Sequence, residues 1–85
     1  MPTFAIEAEY ITGEKSYISH ISPIVWTDNI KEAKKYTLKS DAEYDLIEEF
    51  HTIQTIFFST KIVSISIIEM KNDEITERYQ VIWVK

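Results

Sequence analysis

Apolar and polar residues alternate near both ends of the chain, which is typical of half-buried β-strands. Near the N-terminus, residues 3–11 alternate, and a turn around Gly13 is predicted to lead into a returning strand over residues 17–21. Near the C-terminus, residues 61–70 are rich in β-branched side chains, and a polar turn separates them from a last strand over residues 75–84. The pattern therefore predicts four strands in two hairpins.

Between the hairpins, apolar spacing and capping residues predict two helices. Thr27 and the acidic residue after it fit the N-cap and first turn of a helix over residues 28–36. Ser40 and Glu43 form a capping-box pattern, which predicts the start of a second helix. The apolar face of this second helix is predicted to hold Ala42, Leu46, Phe50, Ile53 and Phe57. Because this face continues into a segment rich in β-branched residues, the sequence is compatible with either a helix or a strand over residues 52–58.

These elements predict an α+β fold in a single domain, residues 1–85, with the order β-β-α-α-β-β. Four antiparallel strands would form the sheet, and the two helices would cover one of its faces. The other face is expected to be solvated because it carries polar side chains, namely Glu7, Glu9, Ser64, Ser66, Arg78 and Gln80. Trp26 and Trp83 are expected in the core. The strand order stays open, and residues 63–68 would favour a homodimer through a continuous sheet if they lay at an edge.

Composition narrows the classes of function. The chain has 85 residues with 9 Lys and Arg against 14 Asp and Glu, so its net charge is 9 − 14 = −5. The absence of cysteine excludes a disulfide scaffold, a Cys-ligated zinc site and a thiol nucleophile. A single glycine excludes a P-loop and a dinucleotide-binding fingerprint, which both need several. The acidic balance argues against direct nucleic-acid binding.

Residue spacing predicts neither catalysis nor metal binding. His20 and His51 lie on different predicted elements without the spacing of a zinc site, and no serine stands in a nucleophile elbow. We therefore expect a protein that is not an enzyme and that uses no cofactor or metal. No apolar segment approaches the ~18–20 residues of a membrane span, and no secretory signal is evident. These features predict a cytoplasmic protein without membrane contact.

The clearest candidate surface is acidic and lies on the second predicted helix. On an ideal helix its carboxylates form a stripe beside the apolar face, and residues 41–60 contain no lysine or arginine. Such a stripe could dock on a basic protein surface or imitate a nucleic-acid backbone. The predicted partner-binding residues are Asp41, Glu43, Tyr44, Asp45, Glu48 and Glu49. A solvated helix face, with acidic residues favoured near the N-terminus by the helix dipole, would give the same pattern.

A basic cluster precedes this helix and supports a second interpretation. Lys31, Lys34, Lys35 and Lys39 lie within one short segment, where they could hold an anionic ligand or balance the acidic helix. In the alternative hypothesis, the chain is a homo-oligomeric binder of a small ligand. The predicted ligand-binding residues at its subunit interface are Lys31, Lys34, Lys35 and Arg78.

Three short runs resemble segments of small uncharacterised phage and prophage proteins. The runs are Trp26-Thr27-Asp28, Ala33-Lys34-Lys35-Tyr36 and Ser40-Asp41-Ala42-Glu43, and the resemblance covers about residues 4–50. It brings no catalytic residue. It implies a context in which small acidic proteins bind and disable host proteins, including restriction and CRISPR proteins. The leading hypothesis is therefore a non-enzymatic inhibitor that binds a basic surface of a host defence protein in the host cytoplasm.

Overall fold

A computed structural model describes residues 1–49, 52–53, 55 and 61–83 of the chain. The described elements are β1 (Thr3–Tyr10), β2 (Lys15–His20), β3 (Val25–Thr27), α1 (Lys39–Glu48), β4 (Ile62–Lys71) and β5 (Glu74–Trp83). The five strands form one antiparallel sheet in the order β3-β2-β1-β4-β5. No helix in the described residues is long and apolar enough to cross a membrane.

The two predicted hairpins are confirmed, and their turns use the residues that such turns require. Gly13 has a φ of 90°, and its N–H donates to the carbonyl oxygen of Tyr10 at 2.9 Å between β1 and β2. Asn72 and Asp73 connect β4 to β5 with φ values of 52° and 64°. Two successive positive φ values are the requirement of the two-residue hairpin turn that matches strand twist.

The predicted sheet of four strands with two helices is wrong. The segment before Asp28 forms a fifth strand, β3, which pairs with β2 at the sheet edge, for example through Ile18 and Trp26. The predicted first helix over residues 28–36 is absent, and a single 3₁₀ turn, Ile30–Glu32, stands in its place. One α-helix, α1, therefore packs on the described sheet.

Side-chain and sheet hydrogen bonds explain why residues 28–36 do not form an α-helix. The Thr27 hydroxyl accepts the N–H of Asn29 at 3.1 Å, and the Asn29 side chain accepts the N–H of Lys31 at 3.0 Å. Further along, the N–H of Lys34 donates to Ile18 O, and the N–H and carbonyl of Tyr36 bond to Phe4. Local turns and the sheet therefore take the backbone groups that a helix would need.

The main core lies between α1 and one face of the sheet. Ile6, Ile18 and Ile67 are fully buried there, and the helix contributes Ala42 and Leu46. The other members of the cluster are Phe4, Ala8, Tyr36, Ile53, Ile62 and Ile65, with Trp26 packed against it as expected. The large β-branched side chains on this face of the sheet give α1 a continuous apolar surface to pack against.

The prediction of a solvated opposite face is wrong for three residues. Glu7, Ser64 and Ser66 are only 2%, 6% and 5% exposed, whereas Arg78 and Gln80 are exposed and Glu9 is half-buried. A second apolar cluster covers part of this face, made by Ala5, Tyr17, Ala33, Ile68 and Met70. The 3₁₀ segment packs there, so the chain covers the sheet on two sides rather than one.

The helix α1 begins earlier than the capping box predicts. Its N-cap is Leu38, which makes no side-chain cap hydrogen bond, and Ser40 lies inside the first turn. Beyond the end of α1, Thr52, Ile53 and Thr55 have helical backbone, and the Ile53 N–H donates to Glu49 O at 2.9 Å. The described part of the chain does not include Phe50, His51, Phe57 or the side chain of Trp83, so the predictions made for them lie outside it.

Candidate functional site

The carboxylate of Asp45 is used to hold α1 against the rest of the fold. The Tyr36 hydroxyl donates to Asp45 Oδ2 at 2.5 Å, and Lys34 Nζ lies 3.5 Å from the same oxygen. Burial raises the pKa of Tyr36, and the hydrogen bond and negative charge of Asp45 raise it further. Asp45 therefore links the helix to the segment that crosses beneath it, and its charge is already matched by Lys34.

The outward face of α1 carries the exposed part of the predicted acidic surface. Asp41, Tyr44 and Glu48 lie at i, i+3 and i+7, so they share this face, and all three are exposed. Tyr44 is 62% exposed, and a hydrogen bond to Glu48 together with the charge of Glu48 raises the pKa of its hydroxyl. Ile47, which lies beside this row, is 72% exposed. We call Asp41, Tyr44, Ile47 and Glu48 the outer helix face.

The remaining predicted acidic residues have different surroundings. Glu43 Oε1 lies 3.1 Å from Lys39 Nζ, one helical turn earlier. Glu49 is the C-cap of α1 and is half-buried. The structure therefore separates the six predicted partner-binding residues into an exposed group and a group that is paired or packed.

An apolar groove of about 460 Å³ opens between α1 and β5. Its apolar lining is Leu46, Ile47, Ile67, Tyr79 and Val81, and its polar lining is Lys39, Glu43 and Gln80. Lys39 Nζ lies 4.4 Å from the centroid of the Tyr79 ring, so this lysine joins the start of α1 to the edge strand through a cation–π contact. This groove could not be predicted from the sequence, since no local spacing places α1 beside β5.

Two of the three lysines of the predicted ligand site contact groups of their own chain. Lys34 pairs with Asp45, and its Nζ also lies 5.2 Å from the Tyr36 ring centroid. Lys35 Nζ donates to the carbonyl oxygens of Ile30 and Ala33 at 2.9 Å and 3.0 Å. Burial lowers the pKa of Lys35, and the charge of Asp73 acts in the opposite direction. Lys31 is exposed on the 3₁₀ turn. These contacts assign the cluster mainly to local structure.

Arg78 binds a buried carboxylate on the second face of the sheet. Its Nε and one terminal nitrogen donate to the two oxygens of Glu7 at 2.9 Å and 3.4 Å. The same carboxylate accepts a hydrogen bond from Tyr17, whose pKa is raised first by burial and then by the charge of Glu7. The hydrogen bond to Glu7 raises the pKa of Arg78. This cross-strand arrangement neutralises Glu7, and it lies on the face opposite α1.

In the described part of the chain, no group of three or more His, Cys, Asp and Glu side chains could hold a metal ion. The His20 ring lies at the end of β2 with its Nε2 3.0 Å from Ser22 O.

No protein-family model, no curated protein and no solved structure matches this chain. The outer helix face and the groove beside it are therefore the candidate functional surfaces of the described residues.

Proposed function

We propose that the protein is a non-enzymatic binding module that docks a basic protein surface on the outer helix face. The supporting observation is the exposure of Tyr44 and Ile47, two large side chains, between the carboxylates of Asp41 and Glu48. Exposed aromatic and aliphatic side chains supply binding energy when a partner covers them. The carboxylates around them attract a cationic partner and accelerate its association.

The composition of this surface favours a protein partner over a small molecule. The groove beside it is open rather than enclosed, and in the described residues it contains one carboxylate, Glu43, which Lys39 already pairs. A convex helix face presents side chains to another surface but surrounds no ligand. The resemblance to small phage proteins extends the proposal to a role: an inhibitor that covers a basic functional surface of a host defence protein.

Charge reversal on the outer helix face tests this proposal. We expect Asp41→Lys/Glu48→Lys to abolish the salt-sensitive capture of a stoichiometric partner from nuclease-treated bacterial host lysate. Tyr44→Ala should weaken the same capture at every salt concentration, because it removes contact area rather than charge. The matched control is Glu14→Lys/Asp28→Lys, which changes the net charge equally at two exposed positions away from α1.

Two results would contradict the proposal. One is capture of the partner by the Asp41→Lys/Glu48→Lys variant at the level of the wild type, with an unchanged circular dichroism spectrum. The other is an equal loss of capture in the control variant, which would show that net charge rather than this surface matters.

A further inference from the structure

The outer edge of β5 is a long strand edge. β5 spans ten residues, Glu74–Trp83, and pairs with β4 along one side only, since no other described strand lies beyond it. Such an edge presents unpaired N–H and C=O groups to any extended chain that can reach it. Five or more residues of partner backbone could add here without displacing a described element.

Two like charges face each other beside this edge. The register places Glu69 of β4 opposite Glu77 of β5, on the face that α1 covers. The Thr76 hydroxyl donates to Glu69 Oε1 at 2.6 Å, but neither glutamate has a cation within 4.0 Å among the described residues. Like charges directly across strands are destabilising, so a cation placed next to Glu77 would be favourable.

The apolar groove begins two residues further along the same face. Tyr79 lies opposite Ile67 in the sheet and lines the groove with Val81. These two side chains are 37% and 41% exposed. Because side chains alternate along a strand, a chain added beside β5 would present alternate residues to Glu77 and then to Tyr79.

We infer that an extended segment of a basic partner protein adds as a further strand to the outer edge of β5. A lysine or arginine of that segment pairs with Glu77, and apolar side chains two and four residues along enter the groove between α1 and β5. Backbone hydrogen bonds supply affinity, and the order of cation and apolar residues supplies specificity. This surface shares Ile47 with the outer helix face but does not include Asp41, Tyr44 or Glu48, so the inference does not require the two carboxylates on which the proposed function rests.

A second copy of the chain fits this edge less well than a basic partner. The only basic residue within Glu74–Trp83 is Arg78, which lies on the opposite face and is held by Glu7. A two-fold pairing of β5 with β5 keeps each face on its own side, so it cannot place Arg78 beside Glu77. It would instead bring Glu77 of each copy to the shared strand interface. Each copy also has a net charge of −5, so the two chains would repel each other.

A synthetic probe peptide tests the inference. The probe is a short peptide in which every second residue is threonine. The residues between the threonines are lysine, then valine, then valine. We expect saturable NMR chemical-shift changes and slower amide exchange confined to β5 and the groove residues. Glu77→Lys should lower the affinity about fivefold, because an attractive cross-strand pair becomes a repulsive one. The same variant should unfold at a higher temperature than the wild type, because the new lysine lies opposite Glu69. A loss of binding by this variant would therefore not be caused by unfolding.

Matched peptides and a matched variant complete the test. A peptide with glutamate in place of lysine, and one with proline in place of the threonines, should both bind much more weakly. Glu14→Lys, on the exposed β1–β2 turn, should bind the probe like the wild type.

Equal binding of the proline peptide, or shifts that map away from β5, would overturn the inference. Concentration-dependent dimerisation that protects the β5 amides would also overturn it, in favour of a second copy. None of these three results bears on partner capture by Asp41 and Glu48, which Asp41→Lys/Glu48→Lys tests separately.

Discussion

The hydrogen bond between Tyr36 and Asp45 should contribute measurably to stability. Tyr36 is 7% exposed, its hydroxyl lies 2.5 Å from Asp45 Oδ2, and the Asp45 side chain is 21% exposed. A hydrogen bond to a charged group contributes about 1.5–3 kcal/mol. Because Asp45 keeps Lys34 and some solvent after the hydroxyl is removed, we expect Tyr36→Phe to lower the free energy of unfolding by about 1.5 kcal/mol.

Urea denaturation at neutral pH, followed by circular dichroism, measures this change. A double-mutant cycle with Asp45→Ala should give a coupling energy of about 1 kcal/mol, since each single variant removes the same hydrogen bond. The matched control is Tyr44→Phe, which deletes a hydroxyl from an exposed tyrosine of the same helix region. We expect that change to be within about 0.5 kcal/mol of zero.

A Tyr36→Phe variant as stable as Tyr44→Phe would refute this reasoning. A coupling energy near zero would show that Tyr36 and Asp45 act independently. In either case the hydrogen bond from Tyr36 would be no reason to exclude Asp45 from partner binding, and Lys34 would be its only remaining described partner.

Two further predictions concern the buried hydroxyl and carboxylate groups. Arg78→Leu should lower the free energy of unfolding by about 2 kcal/mol, because it leaves the Glu7 carboxylate buried without its cation. Adding Glu7→Gln to that variant should restore part of the lost stability. If the effects of the two substitutions on the free energy of unfolding simply added, the pairing would be contradicted. Because the folded-state pKa values of Tyr17 and Tyr36 are raised, their contribution is complete below the ordinary tyrosine pKa of about 10 and is lost as the pH rises through the folded values. Stability measured from pH 9 upward should therefore fall more steeply for the wild type than for Tyr36→Phe, and parallel curves would exclude Tyr36 as a cause.

The elements that could be predicted are those that local chemistry determines. The alternation of apolar residues predicted both hairpins. The turn residues Gly13, Asn72 and Asp73 adopt the positive φ values that turns between paired strands need. The spacing of Ala42 and Leu46 identified the buried face of α1, and both side chains are in the core. Each of these signals depends on neighbours within a few residues, so no tertiary information was needed.

The segment around residues 28–36 could not be predicted in this way. Its capping residues, Thr27 and Asp28, are compatible with a helix, but the N–H groups of Lys34 and Tyr36 find sheet carbonyls instead. Competition between a short helix and a sheet edge is decided by contacts with strands distant in sequence. Pairing with β2 likewise places the apolar residues before Asp28 in the strand β3.

The candidate site likewise has features that the sequence predicts and features that only the tertiary structure determines. The sequence by itself determined that α1 carries carboxylates with Tyr44 on its exposed side, because helical periodicity assigns faces. Only the tertiary structure decided that Asp45 contacts Tyr36 and Lys34, that Glu7 is buried beneath Arg78, and that an open groove lies between α1 and β5. Glu7 and Arg78 are far apart in the chain, and the Asp45 contacts join α1 to a segment outside the helix. All of these pairings depend on strand order and on how the layers pack, which local patterns do not encode.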